Sequence, residues 1–187
     1  KKDIFRFVAL QSDLGKEIVK HIGLSTKHID SVVLYEPGIS YYYKSAAAIE
    51  IAKKIHQLNP SIKFIATGNV VHPAVAKELG VISIGFLKGH LWEQIELPIY
   101  LMKKGNPLLI NFCNTAPLLY KNKIVSIHDL AFIVNPKWFS KPFAFFYNFL
   151  IPKIAKSAKH VITVSNSSKN ELIAHFGIEG NKVSVVY

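Results

Sequence analysis

Hydrophobic and polar residues follow one pattern up to about residue 58 and a different one after it. In the first stretch, short alternating segments and one helical periodicity predict, in order, a strand over 4–10, a helix over 13–21, strands over 31–35 and 39–43, and a helix from Ser45. Pro37 and Gly38 predict a tight turn between the two middle strands, which would then pair as a hairpin.

From Pro60 onward, apolar runs without polar alternation are separated by helical segments. The runs predict strands over 62–66, 81–86, 108–112, 124–127, 161–164 and 183–186. Helices are predicted over 72–79, 91–104 and 168–176, each followed by a glycine. This alternation predicts an α/β fold with a mostly parallel, Rossmann-like sheet built by right-handed crossovers.

Polar residues gather directly after several of these predicted strands. They are Thr67-Gly68-Asn69, Leu87-Lys88-Gly89-His90, Cys113-Asn114-Thr115, His128-Asp129 and Ser165-Asn166-Ser167. Open α/β sheets bind ligands beyond the carboxyl ends of their strands, and hydroxyl, amide and imidazole groups can hydrogen-bond a sugar. Loops also start at strand ends, and loop residues are usually polar without binding a ligand. Each set taken singly is therefore either part of a binding site or an ordinary polar loop.

Charge is the one unusual feature of the composition. Lysine and arginine number 23 against 12 acidic residues, a net charge of +11, while half of the residues are hydrophobic, which excludes a disordered chain. A basic surface favours phosphate groups on nucleic acid, an anionic membrane or a nucleotide-linked substrate, or it serves solubility alone. No aromatic-basic motif accompanies the charge, so we predict no nucleic-acid partner.

Cysteine and histidine usage argue against disulfides and metals. The single Cys113 cannot form an internal disulfide, which points to a reducing, cytoplasmic compartment. The eight histidines show no tight metal-ligand spacing, so we predict neither a metal nor a resident cofactor.

One strongly aromatic stretch, residues 138–149, lies among several lysines. It is far shorter than the roughly 20 apolar residues of a membrane-spanning helix. Three interpretations stay open: a core helix, peripheral contact with the anionic inner membrane surface, and a surface exposed by a missing domain.

From residue 61 to the end, the chain resembles the N-terminal half of a family-four glycosyltransferase of GT-B architecture. The motifs that carry the resemblance are GHLWEQIELP at 89–98, NTAP at 114–117, IHDLAF at 127–132, NPKWFS at 135–140, AKHVITVSNSSK at 158–169 and KVSVVY at 182–187. The resemblance implies two Rossmann-like domains facing a cleft, the first holding a saccharide or lipid-linked acceptor. The second holds a nucleotide sugar, which is a substrate and not a cofactor.

The same resemblance implies a set of site residues. His128 and Asp129 correspond to the catalytic block, and Asn114, Thr115, Glu93 and His90 to the acceptor-binding blocks. His128 would stabilise charge as the glycosidic bond breaks. Alternatively, His128 is a structural histidine and Glu93 merely caps or solvates a first helical turn.

Two parts of that architecture are absent from the sequence. No glycine-rich loop precedes Ile62, and no nucleotide-binding domain follows Tyr187. We therefore expect a truncated glycosyltransferase domain over 59–187, a fragment of a longer protein, with little or no transferase activity of its own.

Residues 1–58 resemble the DCC family of thiol-disulfide oxidoreductases, through FRFVALQS at 5–12, SVVLYEPG at 31–38 and YKSAA at 43–47. The resemblance implies a partial thioredoxin-like βαββα segment, but the Cys-x-x-Cys pair on which thiol exchange depends is missing. The alternative functions are thus an oxidoreductase-related protein or a non-catalytic binding module.

Overall fold

A computed structural model of the protein describes residues 13–23, 33–36, 40–43, 45–68, 70 and 72–186. The chain divides into two units, residues 1–83 and residues 84–187, each with its own contacts. The predicted strand over 4–10 and the predicted turn at Pro37 and Gly38 lie outside the described residues. The domain boundary at residues 58 and 59 stays a prediction.

The first unit begins with a helix and a hairpin. Its described elements are α1 (Asp13–His21), β1 (Val33–Glu36), β2 (Ser40–Tyr43), α2 (Ser45–Leu58), β3 (Ile65–Thr67) and α3 (Pro73–Glu78). Strands β1 and β2 pair antiparallel, with Val33 opposite Tyr43 and Glu36 opposite Ser40. These elements confirm the predicted helix over 13–21, the two paired strands and the helix from Ser45.

Strand β3 is hydrogen-bonded to β4 (Ile82–Ile84) in a separate two-stranded sheet. Helices α2 and α3 are tied by Lys53, whose Nζ lies 3.3 Å from Oε2 of Glu78 and 3.2 Å from Oε1 of Glu50.

The second unit is built on a four-stranded parallel sheet. Its strands are β5 (Leu109–Asn111), β6 (Lys123–Ser126), β7 (His160–Thr163) and β8 (Val183–Val185), paired in that order. Val125 lies beside Val161, and Ile162 lies beside Ser184. Helices connect β6 to β7 and β7 to β8, whereas residues 112–122 connect β5 to β6 without a helix. The parallel sheet covered by helices confirms the predicted Rossmann-like α/β fold.

Helices of the second unit are α4 (Gly89–Leu91), α5 (Leu97–Lys103), α6 (Ala131–Val134), α7 (Lys141–Ser157) and α8 (Asn166–Phe176). A π turn over Trp92–Glu96 joins α4 to α5, so the predicted helix over 91–104 has the right place but not a uniform hydrogen-bond pattern. Pro98 lacks the N–H that would donate to the Gln94 carbonyl. The N–H of Leu97 reaches back to Trp92 O, five residues away, which widens the turn.

The core of the second unit packs helices α7 and α8 against the sheet. Its fully buried members include Val125 and Val161 from the strands, Ile151 and Ile154 from α7, and Leu172 from α8. Helix α8 begins where the Ser165 hydroxyl accepts from the Ser168 N–H at 3.1 Å, and it ends at Gly177, whose left-handed φ of 63° suits glycine.

The aromatic stretch contributes less to this core than a core helix would. Side chains of Trp138, Phe145 and Phe149 are 74, 79 and 53 % exposed, while the buried face of α7 is supplied mainly by its second half. The interpretation of these rings as core residues is therefore wrong for these three positions. Within the described ranges, no helix is long and apolar enough to cross a bilayer.

Candidate functional site

The carboxyl ends of β5 and β6 and the adjoining π turn bring most of the predicted site residues together. Strand β5 leads into residues 112–118, and β6 leads into His128 and Asp129. The π turn packs against the first of these loops through the side chains of Glu93 and Gln94.

Glu93 is the centre of the site. Its side chain is almost fully buried, and its Oε1 accepts hydrogen bonds from Asn111 Nδ2 and from Thr115 Oγ1, both at 3.0 Å. Gln94 Nε2 lies 3.3 Å from the other oxygen, Oε2. A buried carboxylate needs such donors, so Glu93 binds neighbouring elements instead of capping a first helical turn.

His90 lies on the solvent side of this carboxylate. Its Nδ1 is 3.6 Å from Glu93 Oε2, and its side chain is about half exposed. The imidazole also packs against the rings of Phe146 and Tyr147, with centroids 5.2 and 6.2 Å away. His90 thus contacts aromatic rings as well as a carboxylate, and a site with both kinds of group suits a sugar ring with its hydroxyl groups.

Tyr147 belongs to the site, although no motif in the sequence pointed to it. It lies on α7, stacks on Phe143 at 4.0 Å between ring centroids, and is half-buried. Burial raises the pKa of its hydroxyl, and the charges of Glu93 and Cys113 raise that pKa further.

Asn114 connects the loop after β5 to the loop after β6. Its Oδ1 accepts the backbone N–H of His128 at 2.9 Å, while the His128 side chain is exposed. Asp129 is exposed as well, and its Oδ1 accepts from the Ala131 N–H at 2.9 Å, which starts α6. The structure thus brings His90, Glu93 and Thr115 into direct contact and joins His128 to Asn114, whereas Asp129 bonds to its own helix.

Two further side chains, which come from different elements, hold residues 116–118. Gln94 donates to Ala116 O at 2.9 Å and accepts from the Leu118 N–H at 2.8 Å. Lys123, fully buried at the start of β6, donates to Pro117 O at 2.7 Å and to Leu118 O at 3.3 Å. We refer to Gln94 and Lys123 together as the loop clamp.

Burial lowers the pKa of Lys123 to about 8, the charge of Lys182 lowers it too, and the charge of Glu93 opposes both effects. Its third hydrogen bond goes to Ser157 Oγ at 3.0 Å. The sequence does not show whether a single lysine at the start of an apolar strand is buried or exposed. The motifs therefore did not identify Lys123 as a residue of the site.

The π turn also binds the loop after β4. Trp92 Nε1 donates to Ile84 O at 2.9 Å, and the Glu96 carboxylate accepts the backbone N–H groups of Phe86 and Leu87. Gly85 adopts a φ of 72°, which favours glycine, and a β-carbon there would overlap the Glu96 carboxylate and displace it from these two N–H groups.

In the part of the chain that the structure describes, no three histidine, cysteine or acidic side chains are grouped to hold a metal ion. The groups at the site are hydrogen-bond donors and acceptors with aromatic rings beside them, which together can bind a polyhydroxylated ligand.

Comparison with known proteins supports a glycosyltransferase-like region. Residues 97–187 match the family model described as Glycosyltransferase Family 4. A curated relative, the O-antigen chain mannosyltransferase RfbU of Salmonella typhimurium, is 32 % identical over 88 residues, which is 46 % of this chain. The chain spans about a quarter, 24 %, of that relative's length. No solved structure matches the chain.

The family match leaves residues 1–96 uncovered, and these include His90 and Glu93 as well as the segment 1–58. The resemblance of that segment to the DCC family receives no support from it and stays a prediction. The described helix, hairpin and helix there have the predicted order, which many unrelated α/β segments share.

Proposed function

We propose that residues 59–187 are the acceptor-binding half of a retaining, nucleotide-sugar-dependent glycosyltransferase, with its acceptor site in the second unit. The observation that carries the proposal is the buried Glu93 carboxylate, held by Asn111 and Thr115 beside the half-exposed His90. A carboxylate fixed in this way can accept a hydrogen bond from a sugar hydroxyl, and the His90 ring can pack on the sugar's apolar face.

His128 and Asp129 are proposed to face the donor. The exposed His128 imidazole stands at the end of β6, where it could donate to the transferring sugar or to the leaving phosphate and stabilise developing charge. Asp129 fixes the loop by starting α6. Transfer itself is proposed to require a nucleotide-sugar domain, since half of a cleft lacks most donor contacts.

The test is a titration of the 187-residue chain with methyl glycosides of mannose, glucose and galactose, followed by backbone amide chemical shifts. Mannose is included because the relative is named a mannosyltransferase. We expect shifts at residues 90–94, 111–118 and 128, which a Glu93→Gln substitution weakens and a Glu179→Gln substitution, at an exposed glutamate, leaves unchanged. Perturbations confined to residues before Ala46 would contradict the proposal.

We further propose that the acceptor is presented at a membrane surface, so that the protein works at the cytoplasmic face as a peripheral protein. The exposed rings of Trp138, Phe145 and Phe149 lie on or next to α7, and Lys153 Nζ is 3.3 Å from the Phe149 ring centroid. Residues 84–187 contain twelve lysines and five acidic residues, and Glu93 and Glu96 bond internally. Exposed rings beside lysines favour the interface of an anionic bilayer.

Co-sedimentation with vesicles tests this part. Binding to vesicles containing phosphatidylglycerol should exceed binding to phosphatidylcholine vesicles and fall with salt. The double substitution Phe145→Ser and Phe149→Ser should abolish most of it. Phe86→Ser, which removes another highly exposed ring outside α7, should not. Equal binding by all variants would contradict membrane contact through α7.

A further inference from the structure

The backbone of residues 116–118 is bound more completely by side chains than a surface loop needs. The carbonyls of all three residues and the N–H of Leu118 bond to the loop clamp. Gln94 comes from the π turn and Lys123 from the start of β6, so two separate elements fix one short segment. This segment directly follows Asn114 and Thr115.

Each of those two preceding residues makes one contact that shapes the candidate site. Thr115 donates to Glu93, and Asn114 accepts from the His128 backbone. A loop displaced by 1 Å would lengthen both hydrogen bonds beyond the range in which they contribute. The position of residues 116–118 therefore determines whether the acceptor side and the donor side of the site are aligned.

Adjacent side chains of the π turn bind different residues at the end of β5 and in the loop that follows it. Glu93 is directed to Asn111 and Thr115, whereas Gln94, the next residue, reaches Ala116 and Leu118. Lys123 also binds this loop, because its amine donates to two loop carbonyls and to the Ser157 hydroxyl of α7. The acidic group that acts on it electrostatically is Glu93, and the basic one is Lys182.

We infer that Gln94 and Lys123 are positioning residues for saccharide binding. They hold residues 116–118 so that Asn114 keeps its hydrogen bond to His128 and Thr115 keeps its hydrogen bond to Glu93. This inference rests on the proposed function. Neither residue needs to touch the sugar. The effect of Lys123 on affinity passes through the loop, and that of Gln94 passes through the loop and through its own hydrogen bond to Glu93 Oε2.

The experiment compares two clamp variants with matched controls in the 187-residue chain. Lys123→Met removes the buried amine, and Lys121→Met removes an exposed lysine two residues earlier. Gln94→Ala removes the amide that bonds the loop, and Asn170→Ala removes an exposed amide on α8. Affinity for methyl mannoside is measured by amide shifts under conditions where each variant is fully folded.

Both clamp variants should bind methyl mannoside at least about tenfold more weakly, and the controls should bind like the wild type. Amide shifts should change at residues 113–118 and at His128, which a general loss of stability would not single out. Because the two substitutions act on one segment, the double variant should lose less than the product of the two single effects. If Lys123→Met does not fold, the affinity and the amide shifts of Gln94→Ala alone test the inference.

Folded clamp variants with wild-type affinity would overturn the inference while leaving the proposed function intact. If the wild type binds none of the three methyl glycosides, the proposed function fails instead. In that case the amide shifts of residues 113–118 and His128 test whether the loop clamp positions the loop. Unchanged shifts in both variants overturn the inference.

Discussion

Glu93 shows how a single buried charge organises its surroundings. A carboxylate removed from water requires compensation, and here three amide and hydroxyl donors from three positions supply it. The sequence marked Glu93, Thr115 and Asn114 through their motifs. It missed Asn111, Tyr147 and the loop clamp, because each of these matters only through neighbours that the fold brings from far along the chain.

Substitution of Glu93 by glutamine should weaken the second unit even without ligand. The amide presents an N–H group where donors from Asn111, Thr115 and Gln94 converge, so one of them loses its acceptor. We expect a loss of about 1–3 kcal/mol in the free energy of unfolding, measured with urea. Glu179→Gln, at an exposed site, should change it by less than about 0.5 kcal/mol, and equal effects would contradict the role of burial.

Lys123 should make stability rise with pH over a defined range. Its pKa is about 8 in the folded chain against 10.5 for the free side chain, so between these values the unfolded chain binds more protons. The free energy of unfolding should therefore increase between about pH 8 and 10.5, by up to about 3 kcal/mol. Below pH 8 both states are protonated, and the lysine contributes no slope.

The measurement is urea unfolding at several pH values, with Lys123→Met as the reference. Tyr120 and Tyr147, whose pKa values burial raises, oppose the trend above pH 10 in both proteins and cancel in the difference. A difference between the two proteins that stays flat up to pH 10.5 would show that Lys123 keeps its ordinary pKa.

At the scale of elements, hydrophobic periodicity located the described strands and the helices α1, α2, α3, α5 and α8, because parallel strands and amphipathic helices are local patterns. It did not predict α6 or the longest helix, α7. It did not reveal the π turn over Trp92–Glu96. That turn depends on the missing N–H of Pro98 and on tertiary bonds of Trp92 and Glu96 to the loop after β4. The sequence also did not determine whether the aromatic rings of α7 are buried or exposed, since an aromatic run can face either the core or the surface.

The contact between Gly85 and Glu96 can be tested by alanine substitution. Gly105→Ala introduces a side chain at a φ of 84° with nothing within 4 Å, so it should cost only the backbone penalty of about 1–2 kcal/mol. Gly85→Ala carries the same penalty and also displaces the Glu96 carboxylate from the Phe86 and Leu87 N–H groups. Thermal unfolding should show a clearly larger loss for Gly85→Ala, and equal losses would mean that the Glu96 contact contributes nothing.

At the scale of the whole molecule, the second unit carries a core of its own. All members of its buried cluster lie between Ala116 and Val183, and its four strands pair only with one another among the described residues. A unit with its own sheet and core can fold independently. The mostly parallel sheet followed from the sequence, whereas the division at residues 83 and 84 reflects long-range contacts that no local pattern encodes.

We therefore expect a polypeptide of residues 84–187 to unfold cooperatively on heating, as followed by circular dichroism. Ile154→Ala, which empties a fully buried position, should lower the free energy of unfolding by about 2–5 kcal/mol in this polypeptide and in the second unit of the longer chain. A gradual, non-cooperative transition would show that the second unit depends on residues before 84.

The protein's one thiol has a practical consequence. Cys113 is exposed and lies between Asn111, which bonds Glu93, and Asn114, which bonds His128. A maleimide dye would attach at that single position without any prior mutagenesis. The fluorophore would stand beside the proposed acceptor site, so its emission could serve directly as an optical sensor for screening acceptors.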